Sequence, residues 1–217
     1  MQLVKNQRVK LTKGEANMVT LYEQTIIDDG IPRDEYYPRA YDAYPEPFTG
    51  LHGPNRHTFI AEFGFAIPDE ESLNAIAAYS PLLEVAAGLG YWSLELENLG
   101  ADVIATDAFT TEWKHHFGDR VPWVDVIPMD GVTAVQTYPD RTLLMIWPSY
   151  EEEWSTDVLK AYQNEFFCYV GENKWGCCAS DSFFDLLHRE WTEITDMLIP
   201  QWGGIHDYLT IYQRKEI

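Results

Sequence analysis

The residues that a nucleotide cofactor requires occur together in the segment 82–109, LLEVAAGLGYWSLELENLGADVIATDAF. An apolar run containing Glu84 leads into a turn of small residues with Gly88 and Gly90, and a second apolar run ends on Asp107. Small residues let the backbone approach a ligand closely, and the first N–H groups of the following helix are unpaired. A carboxylate at the end of the second run can accept hydrogen bonds from ribose hydroxyls. This spacing predicts a site for an adenosine-containing cofactor.

Each of these residues also has an ordinary structural explanation. Glu84 can be a buried acid capped by the following helix, and Asp107 can cap the helix after the second strand, since Asp is a favoured N-cap. Gly88 and Gly90 can simply make the strand–helix turn. A buried carboxylate is unfavourable without donors around it, and we therefore expect Glu84 and Asp107 to contact the cofactor.

The elements that position these residues alternate between apolar runs and helical segments. Strands are predicted at 82–86, 102–106, 123–127, 142–147 and 166–171. Helices are predicted at 91–99, 131–138, 154–164 and 181–190. This alternation predicts an α/β fold with a doubly wound, mostly parallel sheet covered on both faces. Two final strand-like runs, 193–202 and 205–214, predict an antiparallel pair at the sheet edge.

Residues 1–69 have a different character from the domain predicted over 70–217. Residues 16–29 are predicted to form a helix, but the stretch that follows is rich in Tyr, Pro and Gly, which interrupt regular structure. Phe63 and Phe65 lie at the end of this part. We expect residues 1–69 to form an irregular, partly helical arm or lid that closes over the cofactor.

Composition narrows the function classes. The chain has 217 residues, 46% hydrophobic and 23% charged, which is typical of a globular domain. Its net charge of −20 disfavours binding to long nucleic acids without excluding a local basic patch. No run of about 18 apolar residues or signal-peptide pattern is present, so neither a membrane span nor secretion is expected. Three cysteines favour a reducing, cytoplasmic setting, and no metal site is expected from the spacing of His, Cys and carboxylates.

The turn itself discriminates between cofactors. A dinucleotide fingerprint requires a third glycine, and Ser93 occupies that place after Gly88 and Gly90. Glu84 precedes the glycines on the first strand, and an antiparallel pair is predicted at 193–202 and 205–214 in place of a further strand–helix unit. A nicotinamide-dependent oxidoreductase is therefore the weakest of the alternatives.

From about residue 63 to its end, the chain resembles the class I S-adenosylmethionine-dependent methyltransferases and a group of methyltransferase-like proteins. In that family an acidic residue ends the first strand and G-x-G-x-G follows; here Ala86 stands at the first glycine. The resemblance implies a Rossmann-like seven-stranded sheet, with S-adenosylmethionine held by Glu84, Ala86, Gly88, Gly90, Asp107, Met129 and Asp130. Asp107 would hold the ribose and Met129-Asp130 the adenine, although Asp130 serves equally well as a helix cap.

The segment Trp147-Pro148-Ser149-Tyr150 follows the predicted fourth strand. Family members that methylate amino groups often have Asn/Asp-Pro-Pro-aromatic here, where the polar residue and the prolyl carbonyl hold the amine. This chain keeps Pro148 and Tyr150 but has Trp147 in place of the polar anchor. The resemblance implies that Trp147, Pro148 and Tyr150 lie near the transferred methyl group. The aromatic rings can stack on a planar or cationic acceptor, or they can pack under the N-terminal segment.

Glu172 follows the predicted fifth strand, where ligand-facing residues gather, and is a candidate general base. Taken together, the sequence predicts an S-adenosylmethionine-dependent methyltransferase that acts on a small or planar acceptor, such as an amine or a base. The alternative is an inactive S-adenosylmethionine-binding scaffold protein, for which Ala86 and the missing polar anchor at Trp147 are the reasons.

Overall fold

A seven-stranded sheet forms the centre of the protein in the computed structural model, which describes residues 56–202 and 204–216. The strands are β1 (Leu82–Val85), β2 (Val103–Asp107), β3 (Val126–Pro128), β4 (Thr142–Ile146), β5 (Phe166–Gly171), β6 (Trp191–Leu198) and β7 (Tyr208–Arg214). Their order in the sheet is β3-β2-β1-β4-β5-β7-β6. Strands β1 to β5 pair in parallel, and β7 runs antiparallel to both β5 and β6. The predicted doubly wound sheet and its antiparallel edge are therefore confirmed.

Helices precede the first strand, connect the parallel strands and lead into the antiparallel edge of the sheet. They are α1 (Arg56–Phe63), α2 (Glu70–Ala77), α3 (Tyr91–Asn98), α4 (Thr111–Phe117), α5 (Gly131–Thr137), α6 (Trp154–Ala161) and α7 (Asp181–Glu190). Several begin at side-chain caps: Asp69 and Ser72 form a capping box at α2, and Ser180 accepts from the Phe183 N–H at α7. The helix predicted over 16–29 lies outside the described residues.

The third strand is shorter and later than the predicted range 123–127. The backbone N–H of Trp123 donates to the carbonyl of Leu89 (2.8 Å), and its indole N–H donates to the carbonyl of Glu62 (2.9 Å). Trp123 also stacks on Phe63, with ring centroids 5.8 Å apart. These contacts hold the residue in a loop against α1, so that pairing with β2 begins only at Val126.

The apolar residues form one layer on each face of the sheet. One layer includes Phe59, Phe63 and Ile67 from the first described segment, packed with Leu96 of α3. The other is built by α5, α6 and α7, with buried side chains including Leu159. The described end of the N-terminal segment therefore belongs to the core that covers the sheet. No helix within residues 56–202 or 204–216 is long and apolar enough to cross a membrane.

Candidate functional site

A cavity of about 590 Å³ opens at the carboxyl ends of β1, β2 and β4. The chain crosses from one side of β1 to the other here, because β2 and β4 are its two neighbours in the sheet. Ligands of doubly wound sheets bind at this kind of switch point, and the volume lies within the range of small-molecule sites. All the predicted site residues except Gly90 and Glu172 line it, namely Glu84, Ala86, Gly88, Asp107, Met129, Asp130, Trp147, Pro148 and Tyr150.

The turn after β1 holds three residues in the left-handed region, with φ values of +58° at Ala86, +58° at Gly88 and +73° at Gly90. A Cβ on Gly88 would lie 2.9 Å from Cζ of Phe117, and one on Gly90 would lie 2.5 Å from Cγ2 of Val124. The two glycines are thus required by the close packing of the turn against α4 and the loop before β3. Ala86 adopts a conformation that favours glycine.

Glu84 is buried at the end of β1, with 2% of its surface exposed. The hydroxyl of Ser93, in the first turn of α3, donates to its Oε2 atom. Burial raises the pKa of Glu84 to about 7, even though the Ser93 donor acts in the opposite direction. Ser93 therefore has a function that glycine could not fulfil, which explains the residue at the third fingerprint position.

Asp107 joins the end of β2 to the turn of small residues. Its Oδ2 accepts from the backbone N–H of Gly88 (2.9 Å), and its Oδ1 accepts from that of Phe109 (2.7 Å). Burial raises the pKa of this carboxyl, and the two backbone donors oppose that rise. A carboxylate has about four acceptor positions, so these two bonds leave capacity for hydroxyl donors of a ligand in the cavity.

Asp130 caps the helix that follows β3. Its Oδ1 accepts from the Thr133 N–H (3.0 Å) and its Oδ2 from the Thr133 hydroxyl (2.7 Å), and these donors lower the pKa of the exposed carboxyl. The Asp130 carboxylate therefore acts as the helix cap that was the alternative to adenine binding. The neighbouring Met129 lines the cavity, and its backbone N–H donates to the carbonyl of Asp107 (2.9 Å).

Trp147 follows β4 in the left-handed region, with φ +51°. Its indole N–H donates to Oδ1 of Asp207 (2.7 Å), and its ring stacks on Phe65 with centroids 5.3 Å apart and planes inclined by 12°. The guanidinium carbon of Arg56 lies 5.2 Å from the ring centroid. Trp147 thus packs against residues of the N-terminal segment while still lining the cavity.

Pro148 and Tyr150 line the cavity next to Trp147. The carbonyl of Pro148 accepts from the N–H of Ala179 (2.8 Å), and the N–H of Glu151 donates to the carbonyl of Ala179 (2.9 Å). This exchange fixes the segment against the residues before α7. The prolyl carbonyl already has a backbone donor, whereas the Tyr150 side chain is 57% exposed at the cavity mouth.

Glu172 does not line the cavity. Its Oε1 accepts from the N–H of His206 (2.8 Å), and its Oε2 accepts from the N–H of Cys177 (2.7 Å). Burial favours a higher pKa, but the backbone donors outweigh it and the pKa of Glu172 is lowered. The residue ties the loops after β5 and before β7 together, and its role as a general base stays a prediction.

Several side chains in and beside the site belong to none of the sequence motifs described above. Trp113 of α4 lies across the turn and donates its indole N–H to the carbonyl of Gly88 (3.1 Å). Trp154 begins α6 and lines the cavity mouth. Asp207, fully buried beneath Trp147, has an Oδ2 atom with no hydrogen-bond partner among the described residues. Only the fold brings Trp113 and Trp154 to the cavity and Asp207 to the Trp147 indole.

The ionisable side chains that line the cavity are mostly acidic. Among its described lining residues, no Lys or Arg occurs, whereas five carry carboxyl groups: Glu84, Asp107, Asp130, Glu152 and Asp157. Within residues 56–202 and 204–216, no cluster of three or more His, Cys, Asp or Glu side chains is arranged to hold a metal ion. The site therefore favours neutral and cationic ligands over phosphate-bearing ones.

No family model and no curated protein matches this chain. Among solved structures, 1,6-didemethyltoxoflavin-N1-methyltransferase from Burkholderia thailandensis matches with 15% identity and a TM-score of 0.45, over 68% of this chain and 78% of that one. Magnesium protoporphyrin IX methyltransferase from Synechocystis PCC 6803 matches with 12% identity and a TM-score of 0.46, over 67% and 79%. The N-methyltransferase NodS from Bradyrhizobium japonicum WM9 matches with 12% identity and a TM-score of 0.42, over 67% and 93%. Likeness at this level says nothing about the chemistry of the site.

Proposed function

We propose that the protein binds S-adenosylmethionine in this cavity and transfers its methyl group to a small or planar acceptor, such as an amine or a base. The observation that carries the proposal is the junction of Asp107 with the turn of small residues at the switch point of the sheet. Acceptor capacity at Asp107 suits a ribose, and the acidic lining suits a positively charged sulfonium compound.

Different lining residues contact different parts of the cofactor in this proposal. Glu84 and the turn residues Ala86 and Gly88 hold the amino-acid portion, and Asp107 and Met129 hold the adenosine portion. When bound, S-adenosylmethionine supplies an activated methyl group on a sulfonium, so the protein needs mainly to position the acceptor and exclude water. Phe63 and Phe65, which line the cavity from the N-terminal side, serve that exclusion.

Calorimetric titration of the full chain with S-adenosylmethionine and S-adenosylhomocysteine, with NADH as the control, tests the proposal. We expect micromolar binding of the first two ligands. Replacement Asp107→Ala should weaken this binding by about 1.5–3 kcal/mol, or roughly ten- to a hundredfold in Kd. Asp102→Ala is the matched control, since Asp102 lies just before the opposite end of β2 and pairs with Arg141 at the surface.

The outcomes separate the alternatives. If NADH binds in place of the sulfonium compound, the oxidoreductase hypothesis is revived. If S-adenosylhomocysteine binds but no methylated product forms from broad pools of acceptors and labelled cofactor, the protein is a cofactor-binding scaffold. Equal affinity of the Asp107→Ala and Asp102→Ala variants would show that Asp107 does not hold the ligand.

A further inference from the structure

The cavity divides into two halves along the order of the strands. The ends of β1, β2 and β3 carry Glu84, Asp107 and Met129, which form the cofactor half of the proposed function. The other half lies beyond the end of β4, and we call it the acceptor half. It is lined by five ring-bearing side chains: Phe65, His116, Trp147, Tyr150 and Trp154. Within it, Phe65 joins the stacked ring of Trp147 to the imidazole of His116, whose centroid is 5.0 Å away.

The wall of the acceptor half has little to offer an N–H group. The indole nitrogen of Trp147 is a donor, and it is already bonded to Asp207. The carbonyl of Pro148 already accepts from Ala179. Against the aromatic faces of this wall, a nitrogen with several N–H groups would exchange its water partners for little more than the second lone pair of the Pro148 carbonyl, which is unfavourable. A nitrogen that carries only carbon substituents avoids this loss.

The rim of the acceptor half is negatively charged. Glu152 and Asp157 line its mouth, and both are exposed. Lys160 pairs with Asp157 (3.1 Å) and offsets part of its charge. The carboxylate of Glu151 raises the pKa of the neighbouring Tyr150 hydroxyl, as expected in a negative potential. The rim therefore attracts cations and repels carboxylates and phosphates.

We infer that the acceptor half takes a small tertiary amine, whose methylated product is a quaternary ammonium ion. The inference rests on the proposed function and narrows its acceptor. The nitrogen lone pair forms the new N–C bond, the electron pair of the breaking S–C bond stays on sulfur, and the positive charge passes to nitrogen. The amine reacts as its free base, after its ammonium proton has passed to bulk water, so no proton leaves the nitrogen in the transfer step and the wall needs no general base. Aromatic faces and the acidic rim stabilise the cation that forms.

The test uses the full chain saturated with S-adenosylhomocysteine, titrated with benzyltrimethylammonium as the cationic probe and phenylacetate as the anionic one. We expect the cation to bind at least tenfold more tightly than the anion. Tyr150→Leu should weaken cation binding about two- to fivefold, whereas Tyr150→Phe keeps the aromatic face and the affinity. Glu152→Gln should also weaken it, by about twofold, while Glu193→Gln, at an exposed position on β6, should not.

A second readout is methyl transfer from labelled S-adenosylmethionine to N,N-dimethylbenzylamine compared with benzylamine, where we expect the tertiary amine to be preferred. Equal binding of the two probes, or preference for the primary amine, would overturn the inference about the acceptor. The proposed function would still stand in that case, provided that S-adenosylhomocysteine binds. Absence of S-adenosylhomocysteine binding would overturn both. The cofactor titration and the probe titration thus report the two failures separately.

Discussion

The buried carboxyl of Glu84 should make the free energy of unfolding depend on pH, with a sign and a size that follow from its raised pKa. Burial raises its pKa from 4.5 to about 7 in the folded protein. Because the folded state then holds its proton more tightly than the unfolded chain, the contribution of Glu84 to stability is complete below about pH 4.5. It is lost as the pH rises through about 7.

At about 1.4 kcal/mol for each pKa unit, this rise corresponds to about 3 kcal/mol of stability lost between pH 4 and 8. Other titrating groups contribute over the same range, and Asp207 does so with the same sign. Only the difference between the wild type and Glu84→Gln isolates Glu84, because glutamine keeps the shape and an acceptor for Ser93 without ionising. We expect the variant to gain about 3 kcal/mol relative to the wild type across this range.

Urea denaturation at a series of pH values measures this difference, provided that the m-values of the two proteins agree. Ser93→Ala is a second test, because it keeps the ionisable carboxyl of Glu84 and removes its donor. The Ser93 hydroxyl stabilises the ionised form, so its removal should move the pH-dependent loss to a higher pH. A constant difference between the wild type and Glu84→Gln from pH 4 to 8 would refute the assignment of a raised pKa to this residue.

Further predictions concern the turn and the wall of the cavity. Gly88→Ala places a methyl group 2.9 Å from Cζ of Phe117 at φ +58°, and it should lower the free energy of unfolding by about 1–3 kcal/mol in urea titrations. An unchanged value would contradict the close packing of the turn. Asp207→Leu removes the acceptor of the Trp147 indole N–H and should lower stability by about 1–3 kcal/mol. Asp207→Asn keeps an acceptor and should recover most of that loss in the same denaturation assay; equal losses in both variants would refute the bond.

Much of the fold follows from sequence periodicity because the parallel strands are buried on both faces. Strand β1 occupies Leu82–Val85 within its predicted range, and β5 occupies the predicted range 166–171. The predicted range 123–127 begins before β3 (Val126–Pro128) because Trp123 and Val124 are also apolar. Trp123 is held instead by a loop contact to Leu89, and a local pattern contains no information about that partner.

The glycine turn and Asp107 were identified from spacing because their contacts are local in the fold. The Gly88 N–H donates to a carboxyl only 19 residues away, at the end of the adjacent strand. Glu172 shows the opposite case: its place after β5 suggested a ligand-facing base, but its partner His206 comes from a loop 34 residues further on. The carboxylate accepts from the backbone N–H groups of Cys177 and His206, and a local motif contains no information about the second of these donors.

The two departures from the expected motifs follow one physical rule. Ser93 stands where a dinucleotide fingerprint has glycine, and Trp147 stands where a polar anchor is expected. Each supplies a donor to a buried carboxyl, Glu84 and Asp207 respectively, and burial raises the pKa of both carboxyls to about 7. Since leaving either carboxyl without its donor is more unfavourable than removing both members of a pair, each pair is a single unit of the site. A motif scored one position at a time counts Ser93 and Trp147 as two departures, whereas in the folded chain each is the donor to a buried carboxyl.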